Sequence, residues 1–111
     1  MKTNFEMIRG DTFSFAFEVE FDEVPQKLEN ADFTCKTNFD DDDVVFHKEL
    51  ENGINFSKQD RNKLYYIVRV APEDTKNLEA GMYYYDLQIK LNGDVFTILN
   101  GALKIESDVT R

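Results

Sequence analysis

The sequence predicts an all-β fold: an immunoglobulin-like antiparallel β-sandwich of roughly seven or eight strands with one short helical turn. Three observations predict it. Large apolar residues recur at spacing two along most of the 111-residue chain. Turn signals return every ~8 to 12 residues. Helical character is confined to one persuasive short segment after Pro72.

The elements follow in chain order. A short strand is expected near 4–8. In FSFAFEVEF, the residues Phe13, Phe15, Phe17, Val19 and Phe21 share one face, with Ser14, Ala16, Glu18 and Glu20 on the other. Five successive large apolar residues at that spacing describe a long strand with one buried face, not a helix stripe. A turn is possible in VPQKLENA. ADFTCKTNF repeats the alternation with Ala31, Phe33, Cys35, Thr37 and Phe39, and a further short strand is expected at 44–50. LYYIVRVA sets Leu64, Tyr66, Val68 and Val70 against Tyr65, Ile67 and Arg69. Pro72 then opens the helical turn, reaching toward Leu78.

MYYYDLQIKL–NG–DVFTIL reads as a hairpin, because Asn92 and Gly93 both tolerate the positive φ of a type I′ loop. That loop pairs Leu91 with Asp94, Ile89 with Phe96 and Leu87 with Ile98. Tyr85, Leu87, Ile89, Phe96 and Ile98 then share the inward face. A last strand is expected at 102–107.

Length limits the chain to a single domain spanning 1–111. Ten Phe and five Tyr supply enough large side chains for one core without staples. Cys35 is the only cysteine, so no internal disulfide forms, and no Cys/His spacing suggests zinc. MKTNFEMIRGD has no apolar run of a signal peptide, and no stretch approaches ~18 apolar residues, so membrane insertion is not expected. The net charge of −9 repels phosphate backbones and argues against nucleic acid as a partner.

The candidate sites are few. Leu78-x-x-Gly81-x-Tyr83 has the layout of a tyrosine corner, in which the Tyr at the start of a strand bonds back to the preceding loop. Tyr83 and Tyr85 then point inward and Tyr84 outward. Arg9-Gly10-Asp11 spells an adhesion tripeptide but reads first as a tight turn. Asp40 to Asp43 lacks the alternate spacing, central Gly and distal Glu of a calcium loop, so no specific metal is expected there. His47 is the only histidine and has no recognisable triad around it. No catalytic, cofactor or metal residue is expected. The strand LYYIVRVA is apolar on both faces, which marks Tyr65 and Ile67, with Arg69 at the rim, as an association surface. Tyr84, exposed on its own strand, joins them as an interface candidate.

The segments IRGDTFSFAFEVEF, ADFTCKTNF and VAPEDTKNLEAGMYYYDLQIKLNGDVFTILNGALKIESDVTR resemble small β-sandwich domains of tailed-phage and prophage structural proteins. They are similar to the N-terminal domain of baseplate upper proteins and related tail proteins. That pattern opens on a charged-Gly-Asp-Thr strand and closes on Gly-x-Tyr-x-x-Asp, a Thr-bearing hairpin and a terminal Asp-Val-Thr. Asp11, Thr12, Asp74, Thr75, Leu78, Gly81, Tyr83, Asp86, Thr97, Gly101, Asp108 and Thr110 match it here.

The resemblance implies a non-enzymatic structural or assembly module of a virion, made in a bacterial cytoplasm. It would act through other virion proteins or self-association, without cofactor. Baseplate proteins continue into coiled coil, whereas this sequence carries no heptads, so a free-standing component or one that meets another chain is expected. A carbohydrate- or cell-surface-binding module using Tyr65, Tyr84 or the loop aspartates is the alternative from a different class.

Overall fold

The computed structural model describes residues 2–38 and 43–108. Phe39 of the expected alternation, Asp40, Asp41 and Asp42 of the aspartate run, and Thr110 lie outside them. The fold is all-β with one short helix. In chain order the elements are β1 (Phe5–Ile8), β2 (Phe13–Glu20), β3 (Asn30–Lys36), β4 (Val44–Leu50), β5 (Gly53–Asp60), β6 (Lys63–Val70), α1 (Pro72–Thr75), β7 (Gly81–Leu91) and β8 (Asp94–Glu106).

Hydrogen bonding joins the strands in the order β1-β8-β7-β3-β4-β5-β6-β2. The join between β4 and β5 is slight, with Glu49 opposite Gly53 and Leu50 opposite Ile54. There the chain turns sharply: Glu51 has φ 67° and Gly53 has φ 103°. A side chain at Gly53 would also press on Lys48, whose Cβ lies 2.9 Å from the position a Cβ would take.

The sheet therefore folds over on itself at this corner. One leaf is β1-β8-β7-β3-β4 and the other β5-β6-β2. These correspond to the G-F-C-C′ and B-E-D strands of an immunoglobulin-type sandwich, with β1 added beside the last strand. Pairing is mixed, not purely antiparallel. β1 runs parallel to β8, as does β4 to β5, while β2–β6, β3–β4, β3–β7, β5–β6 and β7–β8 are antiparallel.

The core lies between the leaves. Phe5 of β1 stacks on Phe15 of β2 at 4.7 Å between ring centroids, and Phe15 meets Phe33 of β3 edge-on at 5.5 Å. Phe33 and Tyr85 lie 5.2 Å apart. Offset and edge-on rings are the favoured geometries, and each such pair adds about 0.5–1.5 kcal/mol beyond its buried area. The inward face of β2 is thus what closes the sandwich, as its alternation requires.

Three expectations need correction. Gly53–Asp60 is a strand that the sequence did not signal, because only Ile54 along it is buried and no apolar alternation exists to read. The expected strands at 94–99 and 102–107 are one continuous strand, β8, that runs through Gly101. Finally, the hairpin register holds from Leu91–Asp94 through Gln88–Thr97 and then shifts, so Leu87 pairs with Leu99 instead of Ile98. Such a bulge sharpens the local twist. Phe96 does oppose Ile89, but it lies on the part of β8 that pairs with β7 alone and is half exposed.

Candidate functional site

Asp74, Thr75, Leu78, Tyr83 and Asp108 of the motif pattern gather at one structural node. Asp74 Oδ2 accepts the Ala71 N–H at 2.8 Å, reaching back as a capping residue does at the third helical position. The same oxygen pairs with Lys48 Nζ at 2.6 Å, which ties α1 to β4. Thr75 Oγ1 accepts the Gly10 N–H at 2.9 Å. Arg9 donates through Nε to Asp108 Oδ1 at 2.9 Å and through Nη1 to the Leu78 carbonyl at 3.1 Å, with Nη2 also 2.8 Å from Asp108. The Arg9-Gly10-Asp11 turn is therefore bound into the protein through Arg9 and Gly10, and Gly10 is buried.

Tyr83 sits at the start of β7 and its hydroxyl donates to the Glu79 carbonyl at 2.6 Å, within the loop that carries Leu78 and precedes Gly81. This is the geometry of a tyrosine corner. Tyr85 donates likewise to the Thr3 carbonyl at 2.6 Å. Burial raises the Tyr83 phenol and pushes Tyr85 up to about 12. Burial also pushes the Cys35 thiol up to about 12. Reactive thiols are low-pKa and accessible, and Cys35 is neither. These groups hold the fold; none is poised as a nucleophile.

The interface candidates are divided by the fold. Tyr65, Ile67 and Arg69 share the outer face of the β5-β6-β2 leaf. Tyr84, on β7, looks out from the other leaf, so the four do not form one surface and the two tyrosines do not form one stacking platform. Tyr65 is half-buried, with Lys58 Nζ 5.1 Å above its ring. Ile67 is 42% exposed and stands directly opposite Ala16 on β2.

Beyond Ala16 is a seam that the sequence did not reveal. β2 ends the sheet, and β8 comes alongside it at an open groove of about 230 Å³. Ala16, Phe17, Glu18, Ile98 and Leu99 line it. The sheet thus stops short of closing into a barrel here. An apolar strip runs from Ile67 across Ala16 to Ile98 and Leu99. A second open groove, of about 370 Å³, lies over Ile54 and Tyr66, where Lys27 Nζ is 5.7 Å from the ring of the partly exposed Phe56.

The outer face of the five-stranded leaf is polar where β3 and β4 pair Asp32 with Glu49 and Thr34 with His47. His47 Nε2 donates to Asp32 Oδ1 at 2.7 Å, since a carboxylate can only accept, and its Nδ1 lies 3.9 Å from Glu49 Oε2. On β7, half-buried Asp86 has its carboxyl pushed up by burial and, less, by the charge of Asp32, while Lys36 pulls it down. Sequence reading names His47 and Asp86 but not their grouping with Asp32 and Glu49. The signal was Asp32-x-Thr34 and His47-x-Glu49 at strand spacing, but only strand adjacency brings them together.

No family model matches the chain, and no curated protein matches it. Among solved structures it is similar to part of a family 123 glycoside hydrolase from Clostridium perfringens, described in the context of glycolipid glycan hydrolysis. The TM-score is 0.60 and the identity 12%, over 99% of this chain and 24% of that one. The chain spans about a quarter of that enzyme's length, and at this identity the likeness is one of fold alone.

Proposed function

We propose that this domain is a non-catalytic assembly module of a tailed-phage or prophage particle, acting through protein–protein contacts. The observation that supports it is the apolar strip from Ile67 over Ala16 to Ile98 and Leu99, beside the terminal strand of the sheet. A terminal strand offers a row of backbone donors and acceptors, and folded proteins blunt such rows with charge. Glu18 and Glu20 do so at one end of β2, drawn toward Lys63 at 3.6 and 4.0 Å. Ser14 and Ala16 leave the other end uncharged. An extended segment of a neighbouring protein fits this place, adding a strand to β2 while its apolar side chains cover Ile98 and Leu99. With a net charge of −9 on the domain, a basic neighbour is favoured.

The motif residues support the same reading from the other side. Thr75 and Leu78 tie loop 71–80 to the N-terminal turn and Tyr83 bonds back to the same loop, so these three serve the fold and leave recognition to the surface.

Two measurements test the proposal. Mass spectrometry of purified particles is expected to find the chain among their proteins. Ile67→Glu and Leu99→Glu, each folded by circular dichroism, are expected to lose incorporation at least tenfold. Absence from particles, or wild-type incorporation of both variants, would overturn it.

A further inference from the structure

We propose that Asp32, His47 and Glu49 form a binding site for one divalent transition-metal ion of the zinc class on the outer face of β3 and β4. The site is separate from the β2–β8 seam and rests on different observations. One donor atom from each of the three side chains lies within 4.8 Å of the other two. His47 stands between the carboxylates, with Nε2 2.7 Å from Asp32 Oδ1 and the other ring nitrogen, Nδ1, 3.9 Å from Glu49 Oε2. Zinc ligands at ~2.1 Å in tetrahedral array place donor atoms about 3.4 Å apart. A single ion takes one imidazole nitrogen, and the one donor atom that each side chain offers already lies within 4.8 Å of the other two, so that spacing is reached by small side-chain movements. The required change is an opening of the His47–Asp32 bond, in which the metal replaces the bridging proton, and a rotation of the exposed Glu49 side chain.

The strand register supplies the second argument. Asp32 and Glu49 are direct cross-strand partners in the β3–β4 ladder. Like charges directly opposed on a sheet are destabilising. A cation between them relieves that repulsion. Both carboxylates and the imidazole rise from hydrogen-bonded strands, not loops, so their backbone positions are already fixed. Asn30 Nδ2 lies 3.5 Å from Asp32 Oδ2 and favours the orientation that turns Oδ1 toward His47.

The donor set selects the ion class. One imidazole nitrogen with two carboxylate oxygens suits zinc, nickel or copper. Calcium wants six to eight oxygens and magnesium a near-octahedral oxygen shell, neither of which three residues on a flat sheet face provide. Three protein ligands leave a coordination position open to water or to a side chain of another molecule.

The experiment uses the intact chain, stripped with a chelator, and Zn²⁺ as the probe. His47 is the only histidine, so its imidazole proton resonances report on the site without ambiguity. Calorimetry is expected to show one saturable Zn²⁺ per chain, with the His47 resonances shifting in step and no saturable heat from Ca²⁺ or Mg²⁺. His47→Gln and Asp32→Asn, each folded by circular dichroism, are expected to weaken Zn²⁺ binding at least tenfold. An unmoved His47 resonance at excess Zn²⁺ would overturn the proposal. So would saturable binding that both variants leave unchanged.

Discussion

Thr75 Oγ1 accepts the backbone N–H of Gly10 at 2.9 Å, joining residues 65 apart in sequence. Thr75 is wholly buried, so the Gly10 N–H has no water to turn to if the hydroxyl is removed. A four-residue helix cannot hold itself together, and α1 keeps its place through such bonds. Thr75→Val preserves shape but leaves a buried donor unsatisfied, which costs about 1 to 3 kcal/mol. Urea denaturation is expected to show that loss, with Thr75→Ser retaining most of the stability.

The corner offers a companion test. Tyr83→Phe removes only the hydroxyl that donates to the Glu79 carbonyl. The expected destabilisation is about 1 to 2 kcal/mol, the scale of a lost buried hydrogen bond with its acceptor left short. A denaturation midpoint equal to wild type would show that the bond carries no net stability.

These two bonds also mark what the sequence makes legible. Tyr83 was readable because a corner is local: Leu78, Gly81 and Tyr83 lie within one turn and a strand start. Phe13 to Phe21 was readable because period two along a single segment needs no partner. Gly53–Asp60 was not, since a strand buried only at Ile54 has no pattern to show. The expected strands 94–99 and 102–107 leave Gly101 between them, because the reason for a glycine inside one continuous strand lies elsewhere, in the approach of Thr3. The seam and the Asp32–His47–Glu49 cluster were illegible for a related reason. Each depends on which strands become neighbours, and local spacing does not encode that.

Gly101 can be tested directly. It stands opposite Tyr85 in the β7–β8 ladder, and a side chain there would run into the Thr3 carbonyl. That carbonyl is also the acceptor of the Tyr85 hydroxyl at 2.6 Å. The bare position thus lets the N-terminal segment lie close, with the Tyr85 ring covering it. Gly101→Ala forces the segment away and is expected to cost about 1 to 3 kcal/mol, the range for overpacking. Hydrogen exchange at Thr3, whose N–H bonds the Asn100 carbonyl at 2.8 Å, is expected to quicken by more than the global stability loss explains.

Asp86 sets a pH dependence whose sign can be worked out. Burial is the main cause that raises its carboxyl above the ordinary value, the charge of Asp32 adds to it, and Lys36 opposes it. The folded protein therefore holds this proton more tightly than the unfolded chain, in which the group titrates near about 3.9. A raised folded value means that the stabilising contribution is complete below the unfolded value and is lost as pH rises through the folded one. At neutral pH the ionised, half-buried carboxylate then opposes folding. Asp86→Asn keeps the shape and the neutral state, so the variant is expected to melt above wild type at neutral pH. The difference is expected to shrink as pH falls, and to vanish below the ordinary carboxylate range, where wild type is protonated as well. Melting curves of both proteins across that span, in chelator to keep metal off the adjacent Asp32, measure it. A variant that melts below wild type at neutral pH would mean that the attraction of Lys36 outweighs burial, and that Asp86 is held in place as a charge.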